Sequence, residues 1–181
     1  MNTPRAHRHR HRRHVLDEAL PGDILLFHHA QGWSRLITVL SGSRYHHVGL
    51  FAGGQWVIES RITGVVRRDL SQTKVRLHFR VIPAPGGPEV GRAALVWAQT
   101  QIGVRYAYGS VFALVLDRLL ERVLGPLDII WRQRDRVSCG ELVARAYEVA
   151  GVQLFPGSEA EEVAPWDFAR LLKRSSSSET P

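Results

Sequence analysis

With Cys139 as its only cysteine, the 181-residue chain can form no internal disulfide, and no zinc or iron–sulfur site built on several thiolates. A reducing compartment fits that usage. No run approaches the roughly 18 apolar residues of a membrane-crossing helix. The N-terminus lacks the apolar core and small-residue cleavage site of a secretory signal, and no solenoid period recurs. The reading is therefore cytoplasmic. Acidic residues are missing from residues 1–14, where five of the 24 basic side chains lie among histidines. The remaining basic residues nearly balance the 17 acidic ones, so the formal charge of +7 belongs to a tail. Such a segment has nothing to pack and reads as a disordered extension over 1–18. Its arginines suit an anionic surface, including a membrane, while no base-reading motif specifies nucleic acid.

What remains is 44% hydrophobic, enough for one core, and is assigned as a single α+β domain over 19–173 with a serine-rich disordered end at 174–181. Pro21-Gly22-Asp23 reads as a turn that delivers a buried strand from Ile24. Trp33–Leu40 has helical spacing. The stretches Gly64–Leu70 and Val75–Ile82 read as strands of one antiparallel sheet. The breaker Pro83-Ala84-Pro85-Gly86-Gly87-Pro88 then opens a helix from about Glu89 to Ile102, closed by Gly103. Ser110–Leu124 is amphipathic and fits a core helix, a lid or a membrane-surface helix. Pro165–Leu172 reads as a short closing helix.

The densest signal is Tyr45–Ser60, two β-type runs around Gly53-Gly54. A loop centred on Gly53 puts Val48, Leu50, Ala52, Trp56 and Ile58 on one apolar face toward the core. His47 then stands directly across from Glu59, with Cβ atoms roughly 5 Å apart. A two-residue Gly53-Gly54 turn would instead bury Glu59 unpaired, which argues against it. The same register turns His46 into the apolar face, where it expects a neutral, hydrogen-bonded core role.

Cys139 has its own context. Ser138 and Glu141 form an S-x-x-E capping box and Gly151 a stop, so Cys139 occupies the first turn of a helix. The partial positive charge there favours a thiolate. The Cys139 N–H is a candidate oxyanion donor, and Gly140 leaves room for substrate to approach the backbone. A nucleophilic thiol needs a base, and His47 backed by Glu59 supplies one. No H-E-x-x-H or cysteine pair supports a metal site in the tail or at His28-His29.

Pro21-Gly22-Asp23-Ile24, His47-Val48-Gly49-Leu50 and Glu59, twelve residues beyond His47, resemble the NlpC-like papain-fold cysteine peptidases. In ordinary members the cysteine helix precedes the strands; here Ser138-Cys139-Gly140-Glu141 follows them. That order resembles the circularly permuted branch, the YiiX and YaeF type amidases, and more distantly the lecithin:retinol acyltransferase group. The resemblance implies a permuted papain-like fold with its sheet packed against the cysteine helix. It implies Cys139 as nucleophile, His47 as base and then acid, and Glu59 as orienter, with no cofactor. Gly103-Val104-Arg105-Tyr106 resembles the family's G-x-x-Y approach to the site, which makes Tyr106 a supporting candidate beside core packing. Gly140 departs from the serine common at that position. The expected activity is a thiol amidase or peptidase, whose substrate is a peptide amide, an N-acyl amine or a lipid ester. The rivals are an acyltransferase or esterase of the same fold and a non-catalytic module using the basic tail.

Overall fold

The computed structural model describes residues 16–28, 43–61, 63–72, 78–106 and 136–172. Five strands form one antiparallel sheet: β1 (Ile24–His28), β2 (Tyr45–Phe51), β3 (Trp56–Arg61), β4 (Gly64–Asp69) and β5 (His78–Ile82). Their order is β4-β3-β2-β1-β5. Helix α1 (Pro88–Thr100) follows, then a two-stranded parallel sheet of β6 (Arg105–Tyr106) and β7 (Arg136–Val137), and helix α2 (Cys139–Val149). The chain is thus α+β, as the strand and helix patterning predicts. The expected segments Trp33–Leu40 and Ser110–Leu124, the 75–77 end of the last strand, most of the basic tail and the serine-rich end lie outside the described residues.

The turn ahead of β1 is fastened by Asp23. Its Oδ2 accepts from Leu20 N–H at 2.8 Å and its Oδ1 from Ala84 N–H at 2.9 Å, so one buried carboxylate ties the entry of β1 to the exit of β5. The Tyr147 hydroxyl, on α2, donates to the Gly22 carbonyl at 2.9 Å. Helix and turn are therefore locked together far from the thiol end of α2.

Residues 24 and 26 of β1, Val48 and Leu50 of β2, and Ile58 of β3 join α1 and α2 in the principal core. The opposite face is also covered, contrary to the expectation of one apolar side. Leu25, Phe27, Phe51 and Val57 pack there with Leu16 and Leu70. Leu16, assigned by composition to the tail, is thus a core residue at 4% exposure. A leucine beside charged neighbours carries no periodicity, so only its packing reveals it.

Residues 165–172 turn and then coil into helix over 169–172, with Asp167 Oδ2 accepting from Ala164 N–H at 3.0 Å. Phe168 inserts into the core.

Candidate active site

The β2–β3 hairpin differs from its expected register by two residues. Leu50 pairs with Ile58 and Phe51 with Val57, and the loop is centred one position later, on Gly54. Gly53 and Gly54 take φ of 89° and 61°, conformations that need no Cβ, and Trp56 N–H closes the turn on the Gly53 carbonyl. A slide of two preserves the faces, so His47 and Glu59 still share one. They now meet diagonally, with Gly49 between them. A Cβ at 49 would come within 2.8 Å of the Ile58 oxygen and of Val57 Cγ2, and within 3.1 Å of Glu59 Cβ. Glycine there keeps the Glu59 carboxylate's path to His47 open.

His47 Nε2 donates to Glu59 Oε2 at 2.9 Å. Glu59 is fully buried and His47 is 20% exposed. The residue that sequence reasoning missed is Arg68, on β4. Its Nη2 donates to Glu59 Oε2 at 2.8 Å and its Nε lies 2.5 Å from Oε1, with the side chain 16% exposed. Arg61 adds an outer cation 3.5 Å from Oε1. A signal existed: a buried carboxylate demands a cation, and antiparallel pairing of β3 with β4 sets Arg68 opposite Val57 on the Glu59 face.

Between Phe27–His47 and His28–Tyr45 the β1–β2 register shifts, leaving His46 as the extra residue of a bulge. Such a bulge sharpens the local twist and re-aims neighbouring side chains. Alternation alone would send His47 toward Phe27, whose ring it meets at 5.5 Å, and away from the core cluster that contains Cys139. Yet the charge of Cys139 is among the influences that raise the His47 pKa, which puts the thiol within electrostatic reach of the ring. Burial alone would lower the His47 pKa. The charges of Glu59 and Cys139, with their hydrogen bonds, outweigh it and raise it to about 10. Glu59 shows the mirror image: burial would raise its pKa, while His47 and Arg68 hold it down at about 2. His46 is driven down to about 4, by burial first and then by the charges of His47 and His28. It is a poor rival base. The expected hydrogen-bonded core role is half right, because its buried Nδ1 has no hydrogen-bond partner among the described residues.

Cys139 sits at the start of α2, which packs on β2 and β3. The capping box forms as the sequence predicts: Glu141 N–H donates to Ser138 Oγ at 3.1 Å and Ser138 N–H to Glu141 Oε2 at 3.2 Å. The thiol is 4% exposed. The expectation for Gly140 needs correction. A Cβ there would lie 2.0 Å from the Val163 carbonyl oxygen and 3.3 Å from Ala164 Cα. The close approach is made by the chain itself, in place of substrate. For Tyr106, the backbone pairs with Val137, two residues before Cys139, which ties the G-x-x-Y segment to the strand that feeds the nucleophile helix.

Among the described residues no three His, Cys, Asp or Glu side chains gather to hold a metal ion, and no helix is long and apolar enough to cross a membrane. The arrangement that remains is an imidazole anchored by a buried carboxylate, with a thiol within electrostatic reach. Compared with known families and curated proteins, the chain matches no family model and no curated sequence.

Proposed function

We propose that the protein is a thiol hydrolase of amide bonds, with Cys139 as nucleophile, His47 as proton carrier and Glu59 as its orienter, in a permuted papain-like arrangement. The carrying observation is the 2.9 Å His47–Glu59 bond, with Cys139 within electrostatic reach of the same imidazole. The order of elements supports the permuted arrangement, since the His–Glu hairpin precedes the cysteine helix.

Glu59 occupies Nε2, which leaves Nδ1 to exchange a proton with the thiol. In this mechanism the raised His47 pKa favours the imidazolium, and Cys139 reacts as the thiolate paired with it. Cys139 Sγ then bonds to the acyl carbon while the C–N bond breaks, and His47 gives its proton to the departing nitrogen. The Cys139 N–H, at the positive end of α2, faces the developing oxyanion. Having given its proton to the departing nitrogen, His47 is left neutral and can act as the base in the second half of the reaction. Water adds to the thioester, His47 takes its proton, and the C–S bond breaks to release the acid and restore the pair. The acyl group comes from a peptide, an N-acyl amine or, with an ester in place of the amide, a lipid.

The test is the iodoacetamide alkylation rate of Cys139 from about pH 5 to about pH 10 in native protein and in His47→Ala and Glu59→Gln. A fast native reaction that persists well below about pH 8.5, and is lost with His47, supports the reading. Equal rates in all three, or a thiol that reacts only on unfolding, would sink it.

A further inference from the structure

Glu59 is not a simple third member of a triad, because its carboxylate is shared. Oε2 accepts from both His47 and Arg68, and Oε1 faces the Arg68 Nε and, farther out, Arg61. The Arg68 guanidinium also stands over the Phe27 ring at 5.5 Å, and that ring flanks His47 at 5.5 Å. Arginine, phenylalanine and histidine thus frame one buried carboxylate, with Arg68 on β4, Phe27 on β1 and His47 on β2.

We propose that Arg68 is a positioning residue of this site, whose guanidinium holds the Glu59 carboxylate by a hydrogen bond to Oε2 and an ion-pair contact at Oε1 and limits how strongly Glu59 draws a proton onto His47. Two physical effects follow. A guanidinium that hydrogen-bonds one carboxylate oxygen and lies against the other restrains its rotation, so Oε2 stays aimed at Nε2. A cation on the same carboxylate also offsets its field, and an imidazolium near that cation costs more. Removing Arg68 lets Glu59 act on His47 alone.

The groups that face His47 come from several elements. Glu59 on β3 and Cys139 on α2 act on it directly, His46 neighbours it on β2 with His28 of β1 acting on His46, and Arg61 on β3 and Arg68 on β4 act through the Glu59 carboxylate. Of these Arg68 is the cation held closest to the shared carboxylate.

The inference rests on the hydrolase reading for its meaning, and its test is chosen to fail separately. In the full chain, the His47 ring is titrated by NMR, and Cys139 alkylation is followed against pH. Native protein is compared with Arg68→Gln, Arg68→Met, Arg68→Lys and the control Arg67→Gln, whose side chain lies over Trp56. A folded neutral variant should raise the His47 midpoint by about half a pH unit or more and slow alkylation by roughly threefold or more. Arg68→Lys keeps the charge but loses the guanidinium's contact with both oxygens, so it should return the midpoint while the rate stays low. An unchanged midpoint in either neutral variant overturns the proposal. If neither neutral variant folds, Arg68→Lys decides: a native midpoint with a slowed rate upholds the proposal, and a native rate overturns it. If Cys139 proves inert in native protein, the hydrolase reading falls, while the NMR midpoint still tests Arg68's hold on the pair.

Discussion

Gly140 lies against Val163 so closely that a Cβ on the glycine would sit 2.0 Å from the Val163 carbonyl oxygen. The segment after the 3-10 turn Ala160–Glu162 is therefore seated on the first turn of the cysteine helix, one residue from the thiol. Gly140→Ala or Gly140→Ser forces that carbonyl away. Overpacking of this kind costs about 1–3 kcal/mol, and more where the obstacle is backbone. The expected result is a lower urea midpoint together with altered Cys139 alkylation, while Gly151→Ala at the other end of the helix leaves alkylation unchanged.

Glu59→Ala should be among the most damaging single changes in the sheet. It takes from His47 and Arg68 the carboxylate they share, inside a site where Glu59 has no exposure. Breaking a buried pair by removing one partner costs about 3–5 kcal/mol. Glu59→Gln keeps the shape and one acceptor oxygen, so it should lose less stability while still lowering the His47 midpoint. Denaturant unfolding and the His47 titration read the two effects separately.

Much of this is legible in the sequence. The capping box at Ser138 and Glu141 was readable because its side-chain spacing is local, and the shared face of His47 and Glu59 because parity along a strand survives a slide of two. The register itself was not, since two adjacent glycines allow the loop to close at more than one position. Arg68 and Val163 were hidden for a different reason. Arg68 sits only nine residues beyond Glu59 but shows itself only once β3 is paired with β4 in register, while Val163 acts through packing and leaves no local pattern. The bulge at His46 was equally hidden, because an extra residue in a strand has no composition of its own.

The motif Pro21-Gly22-Asp23 works as a brace for the fold. Both Asp23 oxygens accept backbone N–H groups, from Leu20 and from Ala84. Asp23→Asn presents an amide NH2 to one of those donors, at about 1–3 kcal/mol for the unsatisfied group. Tyr147→Phe loses the bond to the Gly22 carbonyl, at about 1 kcal/mol. Both variants should lower thermal midpoints while leaving the pH dependence of Cys139 alkylation as in the native protein. A shifted profile would show that the turn reaches the site after all.

Stability should peak near neutrality and fall on the acid side first. His46 titrates at about 4 when folded against a usual 6.5, so between those values the unfolded chain binds the extra proton and folding weakens as pH drops. Glu59 adds a second loss lower down. Its contribution is complete above about 4.5 and disappears as pH falls toward about 2. His47 has the opposite sign: its raised pKa gives stability that is complete below about 6.5 and lost as pH climbs toward about 10. Urea midpoints measured from about pH 4 to about pH 10 should therefore trace a dome. His46→Gln removes the first acid-side proton without touching the His47–Glu59 bond, so it should flatten the slope between about 4 and 6.5 alone. If the slope there is unchanged in His46→Gln, the acid sensitivity belongs to another group, and the bulged histidine carries no part of it.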